Sequence, residues 1–424
     1  MVIFEKYTLS NGLRVILHND TATPLAVVNI LYNVGSRDEN ENHTGLAHLF
    51  EHLMFGGTKN IKDFDTVIQK VGGENNAYTN QDVTNYYNVV PAENLETALW
   101  VESDRMHNLK LTDKLLRVQK KVVIEEFKET TINEPYGDVW HHLGELVYKT
   151  SSYRWPVIGL NFDHVAQTTM TDAENFYKRF YAPNNAVLSV AGNFNRIGGV
   201  QSVKDWIEKW YADIPFSETF SKPEYTLEAE QTARREKKVE AKVPAEVLYM
   251  AFPGVARLEK NYYALDLCTD ILAGGTSSRL YQNLVKNKQI FSEIDCYQTG
   301  SIDTGLIIIE GKPLPNIGFE VAENYIWEEI NKLKSELIQP RELAKLKNRI
   351  ESQNTFSDAG IMNKGMNLAF YELIGDINLI NTESENYNLV TAEEIQTAAQ
   401  FYFAPHRVSV LRYQPVQIVN VPGN

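Results

Sequence analysis

The chain has 424 residues, of which 43% are apolar and 23% are charged, a composition typical of globular proteins and not of disordered or fibrous ones. Its formal net charge of −14 argues against a nucleic acid or an anionic membrane as the partner. No stretch approaches the roughly 18 apolar residues of a membrane span, and the two cysteines imply no disulfide framework.

The N-terminus predicts a β-hairpin. In "YTLSNGLRVIL", two extended runs flank Asn11 and Gly12, a dipeptide suited to tight turns. The same region carries Glu5 and Lys6 and leaves no room for the apolar core of a signal peptide. We therefore expect a cytoplasmic protein, or a periplasmic one if the sequence derives from a longer chain that has been trimmed.

The segment "HTGLAHLFEHLMFGGT" predicts a helix that carries chemistry. His48 and His52 are four residues apart, which places both imidazoles on one face of a helix, within reach of a single cation. Glu51 precedes the second histidine and is rotated around the helix far enough to address a metal-bound water instead of the metal. This HxxEH pattern is the inverse of HExxH. The alternative interpretation is that the three residues merely share a surface helix.

Catalytic zinc needs a third protein ligand, and the segment "VQKKVVIEEFKET" offers candidates. Glu125, Glu126 and Glu129 follow an apolar run, so the predicted helix buries one face and carries carboxylates on another. Without the upstream motif, a solvated acidic helix face would be the simpler interpretation. The residues alone leave the third ligand open among these three.

An internal repeat organises the chain. The segment "MTDAENFYKRFYAPNNAVLSVAGN" aligns with "VTAEEIQTAAQFYFAPHRVSVLRYQ", so that Thr169 and Pro183 match Thr391 and Pro405 at an offset of 222 residues. Each copy predicts a helix that begins after the threonine and ends before an Ala-Pro pair, followed by a strand.

The repeat predicts two similar halves. We place an N-terminal half at residues 1–214, a charged, proline-containing linker at 215–240 and a homologous C-terminal half at 241–424. The alternation of strands and helices predicts an α+β fold in which each half is an antiparallel-rich sheet packed by helices. We expect two such halves to face each other around a cavity.

These segments resemble the pitrilysin and insulysin family of inverted-motif zinc peptidases, especially its short-chain subgroup, which includes mitochondrial processing peptidase. The similarity runs from "LSNGLRVIL" and "GSRDENENHTGLAHLFEHLMFGGT" to "FYAPNNAVLSVAGN" and "ILAGGTSSRLYQ". By this resemblance, His48, His52 and Glu126 would bind Zn²⁺, with Glu125 as the competing assignment for the third ligand. Glu51 would be the general base that activates water for peptide-bond hydrolysis.

The resemblance also implies how a peptide substrate would bind. Asn76, Ala77 and Tyr78 in "GGENNAYTNQDVTNYYNVV" would belong to an edge strand to which an extended peptide adds as a further strand. Without the resemblance, these residues are equally typical of an ordinary strand with polar side chains facing outward.

One departure from the family pattern changes the prediction. Self-sufficient members carry an Arg and a Tyr, seven residues apart, after a "GGxxSRL" signature, whereas Val285 and Ser292 occupy these positions here. We therefore expect the metal-bearing subunit of a heterodimer whose homologous partner supplies the Arg/Tyr pair. The alternative is a self-sufficient homodimer in which Tyr281, Lys286 or Lys288 substitutes.

Other features favour no second metal site. His141 and His142 are adjacent, so on a helix they point about 100° apart and do not easily share one ion; a structural or cleft-lining role is expected. Gln119 stands where relatives often have Glu, seven residues before Glu126.

Two other functions compete with that of a peptidase. The protein could be a non-catalytic assembly subunit, as the related core subunits of respiratory complexes are, or a peptide-binding module that cuts slowly.

Overall fold

The structure, a computed structural model, describes residues 1–221 and 224–416. The chain forms two compact units, and neither is continuous in sequence. Unit 1 contains the described parts of residues 1–127, 155–225 and 352–383, and unit 2 contains the described parts of 128–154, 226–351 and 384–424.

Unit 1 is built on a six-stranded sheet with the order β1-β2-β6-β3-β5-β4. The predicted N-terminal hairpin is present: β1 pairs antiparallel with β2, and Gly12 has a φ of +88° in the turn. All neighbouring strands are antiparallel except β2 and β6. The strands are β1 (Glu5–Thr8), β2 (Arg14–Asn19), β3 (Leu25–Tyr32), β4 (Glu74–Thr79), β5 (Thr84–Pro91) and β6 (Ala186–Gly192).

Helices cover both faces of this sheet. Alternate residues of β3, such as Val28 and Ile30, belong to the main core, which includes the buried face of α1. The intervening Val27 packs against α12 on the opposite face, where Gly365 allows a close approach because a Cβ there would lie 2.7 Å from the Val27 side chain. The helices are α1 (Leu46–Leu53), α2 (Phe64–Lys70), α3 (Leu95–Asn108), α4 (Asp113–Phe127), α6 (Phe162–Gln167), α7 (Met170–Phe180), α8 (Val200–Tyr211) and α12 (Ile361–Ile374).

Unit 2 repeats this architecture with a five-stranded sheet in the order β7-β11-β8-β10-β9. Its main core lies on one face, and α5 packs against the other face with β7, β8 and β11. Only β7 and β11 pair in parallel among the described strands of this sheet. The elements are α5 (Val139–Val147), β7 (Arg235–Ala241), β8 (Val247–Pro253), α9 (Tyr262–Ala273), β9 (Phe291–Gln298), β10 (Leu306–Pro313), α10 (Phe319–Ser335), α14 (Ala392–Tyr402) and β11 (Ser409–Pro415).

The predicted α+β class, with antiparallel-rich sheets packed by helices, is therefore confirmed. The compact units follow a different division from the predicted halves, because α5 of the first half belongs to unit 2 and α12 of the second half belongs to unit 1. Helices α11 (Pro340–Ser357) and α13 (Leu379–Leu389) contribute residues to both units. The end of the predicted linker forms strand β7. The proposed domain boundaries themselves stay a prediction.

The repeat has the same local structure in both copies. Thr169 and Thr391 each begin a helix with a capping box, in which the threonine accepts from the backbone of Asp172 or Glu394 and the acidic side chain accepts from the threonine backbone. Each helix is followed by a short turn that begins with proline and then by a central strand, β6 or β11. None of the described helices combines the length and the apolar character needed to cross a membrane.

Candidate metal centre

The HxxEH segment forms helix α1, which divides into a buried and a polar face. Leu46, Leu49 and Leu53 are buried in the core of unit 1, which leaves the two histidines on the other face. The Nε2 atoms of His48 and His52 lie 3.3 Å apart. The i, i+4 spacing predicted from the sequence therefore brings both imidazole nitrogens to one point.

The third member of the cluster is Glu126, in the last turn of α4. Its Oε2 lies 3.3 Å from Nε2 of His52, and its Oε1 lies 3.6 Å from Nε2 of His48. A hydrogen bond from His52 lowers the pKa of the Glu126 carboxyl, which is thus ionised near neutral pH. Glu125 is exposed and is not part of the cluster, and Glu129 belongs to the π-helical segment Lys128–Asn133 in unit 2. The geometry favours Glu126 among the three candidates.

The three side chains fit a zinc ion. Bonds of about 2.0–2.1 Å in a tetrahedron place neighbouring ligand atoms about 3.3–3.4 Å apart, which matches the 3.3 Å between the two Nε2 atoms. A different oxygen of Glu126 approaches each imidazole, and one ligand atom from each of the three residues lies within 4.8 Å of the others. Burial lowers the pKa of His48 and so favours the neutral imidazole that binds a metal. The Glu126 side chain is 37% exposed and that of His52 is 25% exposed, so the cluster is accessible from solvent. The assignment of these residues as zinc ligands stays a prediction that this geometry supports.

Glu51 is half-buried and sits one residue before His52 on α1. Burial raises the pKa values of the Tyr86 and Tyr181 hydroxyls, and the nearby charge of Glu51 adds to this effect. The Glu51 side chain is therefore within electrostatic range of two buried tyrosines, one from β5 and one from the turn after α7. The sequence did not predict this pair, although Tyr181 lies in the repeated "FYAPNN" segment.

The N-terminus of α1 is held by residues that the sequence also did not single out. The N-cap residue is Gly45, which has no side chain to cap the helix. The buried Glu39 carboxyl group takes this role, because Oε2 accepts from the Gly45 N–H at 2.9 Å and Oε1 accepts from the Ala47 N–H at 2.7 Å. His164 contacts Thr44 through Nδ1, with the Thr44 hydroxyl oxygen at 2.9 Å. The sequence signal for this cap was the group of acidic residues in "GSRDENENHTG", which are Asp38, Glu39 and Glu41.

The residues expected to bind substrate lie on an edge strand, as predicted. Asn76, Ala77 and Tyr78 are in β4, which pairs with β5 on one side and is the last strand of the sheet. The Ala77 N–H donates to the side-chain Oδ1 of Asn76 at 2.8 Å. A backbone donor on the open edge is thus satisfied by the neighbouring side chain. Tyr78 is 38% exposed.

The positions of the missing Arg/Tyr pair are in unit 2. Val285 belongs to the π-helical segment Tyr281–Asn287, and Ser292 is on β9, where its hydroxyl donates to the backbone oxygen of Lys312 at 3.1 Å. Among the proposed substitutes, Lys288 forms an ion pair with Glu328 at 2.8 Å. The structure therefore offers no arginine or tyrosine side chain at these two positions.

His141 and His142 belong to α5 in unit 2 and are not part of the cluster. Nε2 of His142 lies 3.1 Å from a carboxylate oxygen of Asp138, which also accepts from the Tyr413 hydroxyl. The pKa of His142 is lowered, and burial is the largest cause of this shift. The neutral form of the imidazole is therefore favoured. The structural or cleft-lining role of the two histidines stays a prediction.

Comparisons with known proteins identify the family of the chain. Residues 14–153 match the family model described as Insulinase (Peptidase family M16), and residues 167–350 match the model described as Peptidase M16 inactive domain. The zinc protease PqqE of Helicobacter pylori is 30% identical over 348 residues, which cover 81% of this chain and 77% of that protein. The probable mitochondrial-processing peptidase subunit beta of Arabidopsis thaliana is 27% identical over 310 residues, covering 70% of this chain and 57% of that protein.

A solved structure is similar to this chain over nearly its whole length. The crystal structure of a protease from Helicobacter pylori superposes with a TM-score of 0.92 at 26% identity, over 98% of this chain and 100% of that chain. Fold, sequence and the matched family models thus point to one group of proteins, whose members in these comparisons include zinc proteases. The chain belongs to peptidase family M16.

Proposed function

We propose that the chain is a zinc metalloendopeptidase that hydrolyses extended, unstructured peptides. The observation that carries the proposal is the cluster of His48, His52 and Glu126, whose ligand atoms lie within 4.8 Å of one another and would hold Zn²⁺ as the three protein ligands of a catalytic site. When bound, zinc supplies Lewis acidity, which lowers the pKa of water at the open position and polarises a peptide carbonyl.

Glu51 is the proposed general base. Its carboxylate accepts a proton from the attacking water and then donates that proton to the leaving amine. The placement on α1 supports this role, since Glu51 adjoins His52 in sequence but is not one of the three clustered residues.

Strand β4 is the proposed binding edge for the substrate backbone. The Ala77 N–H now donates to Asn76 Oδ1 and is available to a substrate carbonyl once that side chain moves away. Main-chain hydrogen bonds of this kind require an extended peptide and little sequence specificity. An unstructured segment therefore suits the site better than a folded protein does.

We further propose that the chain works as the catalytic subunit of a heterodimer. Val285 and Ser292 lack the donor groups of the Arg/Tyr pair, and stabilisation of the oxyanion is worth about 3–4 kcal/mol per donor in acyl transfer. A homologous partner chain that carries the pair would supply these donors.

The test is cleavage of a quenched, unstructured peptide library by the purified, zinc-loaded chain, alone and mixed with a homologous chain that carries the Arg/Tyr pair. We expect cleavage only in the mixture. Cleavage by the chain alone would contradict the heterodimer and favour a self-sufficient homodimer. If the zinc-loaded chain cleaves no peptide even with its partner, the result would contradict the peptidase proposal and favour a non-catalytic subunit.

A further inference from the structure

We propose that Glu39 is a positioning residue of the zinc centre, which sets the place of His48 by holding the first turn of α1. This inference rests on the proposed function of the site. Within the described residues, Glu39 does not contact the ligand cluster or the general base; its side chain accepts hydrogen bonds from the backbone at the start of the helix.

The helix needs such a support. With eight residues, α1 is shorter than the roughly 12–15 residues at which isolated helices become marginally stable in water. The first N–H groups of any helix lack intrahelical partners, and Gly45 offers no capping side chain. Both oxygens of Glu39 accept from this turn, at Gly45 and at Ala47, the residue directly before His48.

Glu39 is itself fixed by the turn that precedes it. The turn Ser36–Asp38 accepts a hydrogen bond from the Trp155 indole N–H to the Ser36 oxygen at 2.7 Å. The Tyr225 hydroxyl donates to Asp38 Oδ1 at 2.6 Å. Arg37 forms a buried ion pair with Asp82 at 2.8 Å. These contacts anchor the backbone from which the Glu39 side chain extends.

A zinc site accepts only a narrow range of metal–ligand distances, so the support from Glu39 affects the position of the ligands as well as the stability of the helix. Zinc ligands must lie within about 0.2 Å of ideal bond lengths, and His48 is the third residue of α1. A first turn that frays moves His48 relative to His52 and Glu126, which sit further along α1 and on α4. The zinc site then loses affinity even where the core of unit 1 stays folded.

Three measurements on Glu39→Gln test the proposal. The isosteric amide keeps one acceptor but turns an NH₂ group toward a backbone N–H. We expect zinc affinity to fall about tenfold, as it does when residues that hold metal ligands in place are substituted in other proteins. The visible spectrum of the cobalt(II)-substituted protein should change, and backbone amides at residues 45–48 of the zinc-free protein should exchange faster. The matched control is Asp63→Ala, which removes the N-cap of the neighbouring helix α2 and should leave the zinc affinity and the cobalt spectrum unchanged.

Unchanged zinc affinity and an unchanged cobalt spectrum in Glu39→Gln would overturn the inference and leave the proposed function intact. A wild-type chain that binds no zinc would instead overturn the proposed function, and this inference with it. If Glu39→Gln does not fold, Tyr225→Phe decides the matter. This variant removes one hydroxyl from the turn and keeps the ring that lies over Arg37; weaker zinc binding supports the proposal, and wild-type binding refutes it.

Discussion

The Nε2 atom of His52 lies 3.3 Å from Oε2 of Glu126, although the two residues belong to different helices, α1 and α4. This contact closes the cluster that the HxxEH motif begins. It also distinguishes Glu126 from Glu125, which is exposed at the preceding position of α4.

Replacing Glu126 by Gln should weaken zinc binding strongly, because the amide supplies no charge to the site. We expect a loss at least as large as the 10–100-fold drop that outer-shell substitutions cause, measured by competition with a chelator. Glu125→Gln is the matched control and should bind zinc like the wild type. The opposite order of the two variants would make Glu125 the third ligand.

Substitution of Ala77 by Pro should raise KM for extended peptides and leave zinc affinity unchanged. Proline removes the N–H of Ala77, which donates to Asn76 Oδ1 and not to the neighbouring strand. Asn76→Ala is the control, because it frees that N–H and should leave KM equal or lower. A wild-type KM in Ala77→Pro would show that the β4 edge does not bind the substrate backbone.

Gly45→Ala should destabilise unit 1 by about 1–3 kcal/mol through backbone strain and crowding. Gly45 has a φ of +86°, and a Cβ there would lie 2.8 Å from the backbone oxygen of Ile158. Gly375→Ala separates the two causes, because Gly375 has a similar backbone conformation, with a φ of +99° and a ψ of +4° against +86° and +6° for Gly45, and has open space around it. Urea unfolding should therefore show the larger loss for Gly45→Ala. Equal losses would mean that the close contact is relieved without cost.

Glu323 in unit 2 predicts a pH-dependent contribution to stability. Burial alone would raise the pKa of Glu323, but hydrogen bonds from Arg234 and Trp327 and the charge of Arg412 lower it below its usual value. The stabilisation is therefore complete above the unfolded-state pKa and is lost as the pH falls through the folded-state pKa.

Glu323→Gln should accordingly lower the free energy of unfolding by about 2 kcal/mol at pH 7, since hydrogen bonds to charged groups are lost. The difference from the wild type should shrink toward pH 3. Urea unfolding at both pH values provides the measurement. A difference that stays constant with pH would rule out an ionised Glu323 as its source.

The sequence predicted the parts of the site that depend on local geometry. His48 and His52 meet because four residues make about one helical turn, and the capped helices after Thr169 and Thr391 follow from short-range hydrogen bonds. The residues alone narrowed the third ligand only to three glutamates, because the choice among them depends on which side of α4 faces α1.

Contacts between distant segments could not be predicted in the same way. The Glu39 cap depends on the path of the loop before α1, and the bond between Tyr225 and Asp38 joins residues far apart in sequence. The packing of α5 on the sheet of unit 2 and of α12 on that of unit 1 also departs from the order of the repeat. A single sequence carries no periodicity that marks such pairings.

The most direct test of the account compares the wild type with Glu51→Gln in peptide hydrolysis, both zinc-loaded and both mixed with the Arg/Tyr-bearing partner. We expect equal zinc content in the two proteins and a loss of kcat on the order of 10²–10⁴-fold in the variant, because only the general base is removed. Undiminished cleavage by Glu51→Gln would contradict the assignment of this motif as the catalytic centre.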